Sequence, residues 1–278
     1  MILLDNNQLI ISNIFIAMKH SDIEDEQILR HLCINTYRIY NRKFKDKYGD
    51  IIICHDSPHC WRKNIFEHYK SNRKIAKAKS QHDWDKIFNT MTSIRKEVEE
   101  NFPWKNISVP KTEADDIIAI IAENSLPIEP VLIISSDKDF QQLQKYSNVK
   151  QWSPSKQDYL VCENPSEFLQ THIIRGDSSD GIPNILSDDD TFINEGKRQT
   201  PLTKRKASQI TEDIETWKEK DNWKRNQEII DFDYIPNEIK EAIMEEYNKP
   251  NEKTSNGIFN YLVKNKLVKI LEDAEDLY

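Results

Sequence analysis

Val131-Leu-Ile-Ile-Ser-Ser-Asp137-Lys-Asp139-Phe140 is the stretch whose reading decides the fold. Four apolar residues make a buried strand, two serines end it, and two aspartates follow at once. The same arrangement recurs elsewhere. Ile2–Leu4 runs into Asp5, Ile51–Cys54 reaches Asp56, and Glu113-Ala-Asp115-Asp116 opens an apolar helical stretch. Gly176-Asp177-Ser-Ser-Asp180-Gly181 adds a fifth acidic cluster. Parallel strands present their carboxyl ends at one edge of a sheet, where open α/β sheets bind ligands. Carboxylates gathered there repel one another, and a bound cation relieves the repulsion. An all-oxygen donor set suits Mg²⁺ or Mn²⁺ rather than zinc.

Working outward, residues 2–4, 51–54, 131–135, 149–152 and 159–162 read as strands. Helices are predicted at 8–18, at 23–40, from Glu113 to before Pro127 with Thr112 as its N-cap, and through Phe140–Tyr146. Residues 57–105 read as helices with few strong core signals. Strand alternating with helix predicts an α/β layer with a mainly parallel sheet. Beyond residue 164 the pattern turns helical, with helices at 165–175, 204–217, 221–230, 236–247 and 255–271 and a loop at 187–201. This divides the 278 residues into 1–163 and 164–278, long enough for two modest domains. Only five glycines occur, which excludes glycine-rich phosphate loops. No stretch is long enough to span a bilayer, and no secretory signal is expected. Four cysteines without a paired framework fit reduced thiols in a cytosol.

The net charge of −8 argues against a polyanion partner only if charge is evenly spread. It is not. Residues 61–79 carry Arg62, Lys63, Lys70, Arg73, Lys74, Lys77 and Lys79 against Glu67 alone. Residues 197–206 carry Lys197, Arg198, Lys204, Arg205 and Lys206 with no acid. Basic patches flanking an acidic centre suit a nucleic acid held around a metal site, whereas the plain alternative is two solvated helix faces.

TEADDIIAII (112–121), LIISSDKDFQQL (132–143) and RGDSSDGIP (175–183) resemble the acidic motifs of the 5′-nuclease (flap endonuclease) superfamily. WRKNIFEHYKSNR (61–73) and Ile230-Asp-Phe-Asp-Tyr-Ile-Pro236 resemble its T-even-type phage ribonuclease H branch. The resemblance implies a PIN-like α/β nuclease domain with a helical arch, followed by a smaller helical domain with a helix–three-turn–helix. It implies Mg²⁺-dependent 5′→3′ exonuclease and flap endonuclease activity that removes RNA primers and adjacent DNA from lagging-strand fragments. Two ions are expected, with Mn²⁺ as a substitute. By motif, Asp5, Asp56, Asp115 and Asp137 belong to a first metal site. Asp139, Asp177 and Asp180 belong to a second, with Asp137 between the two, and Glu113 and Asp116 are outer ligands. Asp115, Asp137 and Asp139 carry most of the chemistry, with Lys70 and Arg73 over the active site. Arg62, Lys63, Lys70, Arg73, Lys204, Arg205 and Lys206 are the expected nucleic-acid contacts. The partners implied are RNA–DNA and DNA–DNA duplexes with a 5′ end or flap, a phage single-strand-binding protein and a sliding clamp. A monomer in the host cytoplasm is expected, with no membrane partner. The region IPNILSDDDTFINEGKRQT (182–200) departs from the family in lacking a glycine-rich hairpin, which argues against a potassium-binding turn. Asp5 lies close to the N-terminus, so no leading extension of the kind found in relatives is expected.

Each of these residues has a plainer reading. Asp116 and Asp180 fit a helix cap or turn best. Trp61 and Tyr69 fit packing better than stacking on a base. Cys54, His55, His59 and Cys60 do not have structural-zinc spacing. Two other functions fit less well: a PIN-domain endoribonuclease on single-stranded RNA, and a structure-specific DNA-binding protein without catalysis.

Overall fold

Ile2, Leu3 and Leu4 are wholly buried, and a strand covered on both faces reads as an unbroken apolar run. This strand, β1 (Ile2–Asp5), lies at the centre of a six-stranded sheet. The computed structural model describes residues 1–20 and 26–278. β1 pairs in parallel with β2 (Ile51–Cys54) on one side and with β4 (Val131–Ile134) on the other. β3 (Lys105–Ile107) lies outside β2, and β5 (Val149–Ser153) lies outside β4. β6 (Asp158–Leu160) closes the edge antiparallel to β5. The strand order therefore reverses at β1, and the register aligns Asp5 with Cys54 and Leu4 with Ile134. Asp5, Asp56 and Asp137 thus leave the sheet at one edge, where the crossover creates a crevice.

Helices α1 (Asn6–His20) and α2 (Glu26–Tyr48) pack on one face. The expected start of α2 at residue 23 lies outside the described residues. Its end runs past the expected residue 40, because Asn41, Phe44 and Tyr48 continue its buried face. α3 (Arg62–Ile65), α4 (Ser71–Lys79) and α5 (Trp84–Asn101) fill the next stretch. α5 was expected to contribute little to the core, yet Ile87, Met91, Ile94 and Val98 form one buried stripe at helical spacing. Asp83 caps it by accepting the Lys86 amide at 2.9 Å. β3 follows and was not predicted, since only Ile107 of its three residues is buried. α6 (Ala114–Glu123) covers the opposite face through Ile117, Ile118, Ile120 and Ile121. Its cap is Glu113 rather than Thr112, because the Asp116 carboxylate reaches back to the Glu113 amide at 2.9 Å.

The later helices are α7 (Pro165–Arg175), α8 (Lys204–Glu212), α9 (Ile214–Lys218), α10 (Asp221–Ile230), α11 (Asn237–Asn248), α12 (Ile258–Lys264) and α13 (Val268–Leu271). The helices expected at 204–217 and 255–271 are each broken. Asp213 leaves helical geometry in the first, and Lys266 turns left-handed in the second. Residues 187–201 form turns, as expected. This half also packs back on the sheet. Ile239 and Ile243 join the α6 face, while Ile258, Leu262, Ile270 and Leu277 join the α1–α2 face. The third cluster combines Phe66 and Tyr69 with α7, α8 and α10. No helix among the described residues is long and apolar enough to cross a membrane.

Ile133 is wholly buried between β1 and β5. Ile133→Ala is expected to lower the free energy of unfolding by about 2–5 kcal/mol, read as a reduced urea midpoint at unchanged m.

Candidate active site

Asp5 ends β1, and Ser135 follows β4 as its neighbour. The Ser135 hydroxyl donates to Asp5 Oδ2 at 3.1 Å and accepts the Asp137 amide at the same length, which ties two strand ends together. Asp137 Oδ1 in turn accepts the Asp139 amide at 3.0 Å, so Lys138–Lys145 begins as a capped 3₁₀ turn. Asp56, two residues past β2, accepts the Ala114 amide at 2.7 Å and holds the N-terminus of α6 against β2. Asn7 donates to the other Asp56 oxygen. Asp115, in the first turn of α6, is near enough to Asp5 and Asp137 that they oppose its ionisation. Residues separated by as many as 132 positions meet in this way.

A second group adjoins the first. Gly176 stops α7 with a positive φ, and a Cβ there would lie 2.4 Å from the carbonyl oxygens of Ile182 and Pro183. That close approach folds the chain so that Asp177 and Ile182 pair across a tight loop. Asp177 Oδ1 accepts from the amide and hydroxyl of Ser179 at 2.8 and 2.6 Å, and Oδ2 faces Lys138 Nζ at 3.1 Å. His172, in the last turn of α7, lies between Asp139 and Asp177 at 3.4 Å from each. Asp180 points at the basic segment. Lys70 Nζ is 2.5 Å from Glu113 Oε1 and 3.5 Å from Asp180 Oδ2, and Arg73 pairs with the other Asp180 oxygen. The Tyr69 hydroxyl donates to Glu113 at 2.8 Å and lies 3.1 Å from Asp180.

Burial is the main electrostatic influence. Loss of water, with Asp56 and Asp137 nearby, raises the Asp5 carboxyl to about 7. Burial and Asp137 raise Asp139 to about 7. Burial, Asp137 and Asp5 raise Asp115 well above its ordinary value, and burial raises Asp56 and Asp137. Glu113 behaves differently. Burial opposes its ionisation, but Lys70 and Arg62 overcome this and hold it at about 2. Asp177 is likewise buried, yet its contact with His172, its bonds to Ser179 and the nearby Lys138 ammonium hold it below the usual carboxylate range. A group of acids that favour protonation when alone is what a divalent cation would ionise. Among buried polar atoms left without a hydrogen bond are Asp139 Oδ1 and both His172 ring nitrogens, which adds open donor positions at the same place. These residues fit a metal centre.

Asp5, Asp56, Asp115, Asp137, Asp139, Asp177, Asp180 and Glu113 are therefore brought together, and Lys70 and Arg73 lie over them. Two expectations need correction. Arg62, predicted to touch nucleic acid, is 3% exposed; it pairs with Glu113 at 3.3 Å and Asp116 at 2.8 Å, and donates to the Ile229 carbonyl. Asp116, predicted as an outer ligand, has no exposed surface; it is taken up by Arg62, the Trp61 indole at 3.1 Å and the Glu113 amide. Both form a buried anchor behind Glu113. Lys63, Lys204 and Arg205 are exposed and Lys206 is half-buried. Trp61 and Tyr69 are buried, consistent with packing. His172 was missed, since no motif marks a histidine five residues ahead of Asp177. Ser135 was read only as a strand-end polar residue.

The raised carboxyls set a pH dependence. Folded Asp5 and Asp139 keep their protons up to about 7, whereas the ordinary value is 3.8. Between those limits the folded chain binds more protons than the unfolded one, so its stability falls as pH rises. Glu113 acts in the opposite sense, but only below its ordinary value of 4.5. In EDTA, the thermal midpoint is expected to fall from about pH 5 to about pH 7, and excess Mg²⁺ or Mn²⁺ is expected to flatten the fall. Thermal melts at constant ionic strength read this directly, and a midpoint that climbs with pH in EDTA contradicts it.

The comparisons with known proteins agree with this architecture. Residues 1–171 match the family model described as 5′-3′ exonuclease, N-terminal resolvase-like domain, and residues 166–277 match that described as T4 RNase H, C terminal. The chain is 32% identical to the ribonuclease H of Enterobacteria phage T4, over 99% of this chain and 94% of that protein. It is 34% identical to a 5′-3′ exonuclease of Buchnera aphidicola over about half of each chain, 53% and 51%. The fold is similar to that of the bacteriophage T5 flap endonuclease crystallised with DNA and metal ions, with TM-score 0.62, 14% identity and 98% of both chains covered. With the acids gathered at the switch edge of its sheet and one family model spanning residues 1–171, the chain belongs to the 5′-3′ exonuclease family and is a nuclease.

Proposed function

We propose that the chain is a Mg²⁺-dependent 5′→3′ exonuclease and flap endonuclease that removes RNA primers and adjacent DNA from lagging-strand fragments. The observation that carries this reading is the meeting of Asp5, Asp56, Asp115 and Asp137 at one sheet edge, beside Asp139 and Asp177. Asp5, Asp56, Asp115 and Asp137 would hold a first ion, and Asp139, Asp177 and Asp180 a second, with Asp137 between. Two divalent ions, when bound, supply a nucleophilic water at neutral pH, charge neutralisation at the phosphate and stabilisation of the leaving oxygen. The protein's own groups do the rest. Lys70, steadied by Glu113 and Asp180, offers a compact positive charge to the scissile phosphate. Arg73, about half exposed, reaches toward the 5′ end from the first turn of α4, the helix that Lys70 precedes as its left-handed N-cap. Lys204, Arg205 and Lys206, at the N-terminus of α8, contact duplex phosphates and position the substrate without reading bases.

Docking of a single-strand-binding protein or clamp is part of this proposal, but the C-terminal tail is already engaged. Leu277 is buried, Arg38 pairs with Asp273 and Asp276, and Lys45 donates to the Tyr278 carbonyl at 2.6 Å.

A 5′-labelled nicked RNA–DNA duplex, incubated with Mg²⁺ or with EDTA, tests the function. Short 5′ products that need the metal are expected. Cutting of single-stranded RNA alone would replace the proposal with an endoribonuclease, and binding without cleavage with a DNA-binding protein. Asp137→Asn is expected to slow cleavage by at least about 100-fold while duplex binding persists. Substituting Lys204, Arg205 and Lys206 together by Ala is expected to make the salt dependence of duplex binding shallower by roughly 2 to 3 in log–log slope, read by fluorescence anisotropy.

A further inference from the structure

His172 is 4% exposed, and neither ring nitrogen makes a hydrogen bond. Nδ1 faces Asp139 Oδ1, itself buried and without a hydrogen bond, at 3.4 Å. Nε2 faces Asp177 Oδ2 at 3.4 Å. Donor atoms of these three residues all lie within 4.8 Å of one another, and they form the one such group among the described residues. Adjacent donors around an octahedral ion with bonds of about 2.1 Å stand roughly 3.0 Å apart, so the Asp139–His172 gap is close to that of two ligands sharing one ion.

The ring is also held for this task. Phe168 packs edge-on against it at 5.6 Å, one turn earlier on α7. Asp177 is fixed through Oδ1 by Ser179, and Lys138 shares its Oδ2 with His172. Metal-bound histidines commonly donate their other N–H to a carboxylate, which sets the tautomer and orientation.

We propose that His172 is a nitrogen ligand of the second metal position, coordinating through Nδ1 beside Asp139 while Asp177 accepts its Nε2–H. This rests on reading the acidic pocket as a divalent-metal centre. An imidazole among carboxylates moves the donor set away from the all-oxygen preference of Mg²⁺ and toward Mn²⁺. The second position therefore favours Mn²⁺ over Mg²⁺ more than the first, which is built of aspartates.

Pulsed EPR of the full chain loaded with Mn²⁺ tests this without an activity readout. Electron spin-echo modulation from a directly bound ¹⁴N is expected, and it should change to the ¹⁵N pattern when only histidine is labelled. His172→Gln is expected to remove the modulation and to weaken one of two Mn²⁺ binding steps by at least about tenfold, with a smaller change for Mg²⁺. Circular dichroism checks that the variant folds; if it does not, the labelled wild-type chain still decides. Mn²⁺ bound without nitrogen modulation overturns the assignment of His172 but leaves the metal centre standing. No Mn²⁺ binding at all overturns both.

Discussion

Burial of a crowd of carboxylates at the carboxyl edge of the sheet is the constraint to which the rest of the structure responds. Loss of water makes the charged forms of Asp5 and Asp115 costly, and repulsion from neighbouring acids, Asp56 and Asp137 for Asp5 and Asp137 and Asp5 for Asp115, adds to the cost. Each acid is held by something rigid. Ser135 ties Asp5 to Asp137, the Ala114 amide holds Asp56, and Ser179 holds Asp177. The basic residues over the edge answer the same charge. Lys70 and Arg73 are the counterions of Glu113 and Asp180 before they are anything else. A substrate phosphate would compete with those carboxylates for the same cations.

Behind this edge lies an ion pair of another kind. Arg62 and Asp116 are buried together, and a buried pair often contributes little to stability relative to well-packed apolar side chains. Its role here is geometric. Arg62 bonds to the Ile229 carbonyl at the end of α10, and Asp116 bonds to the Glu113 amide at the start of α6. Two helices far apart in the chain, α6 and α10, are thereby set in register next to the site. Gly176 serves the same end by a steric route, because only a residue without a Cβ allows the loop carrying Asp177 and Asp180 to close.

The strands were legible because each of the three central ones is an unbroken apolar run ended by turn residues. β3 was not, since an edge strand of three residues with one buried side chain leaves no pattern. The breaks at Asp213 and Lys266 also escaped notice, because local backbone departures of one residue do not disturb apolar spacing. The face of α5 was legible in principle through Ile87, Met91, Ile94 and Val98, but the basic and aromatic residues around it masked the stripe.

For the site, sequence by itself determined which acids stand at strand ends, because a carboxylate after an apolar run must leave the sheet at its edge. Sheet order then decided which edges coincide, and only the tertiary structure holds that information. It separated Lys70, which reaches the acids, from Arg62, which is buried behind them, although both belong to one basic run. It also brought His172 against Asp139, 33 positions away, through the packing of α7 on the turn after β4. Spacing along a chain records faces and caps within one element. Contacts between elements depend on how the hydrophobic faces are shared, and that is settled only when the whole core forms.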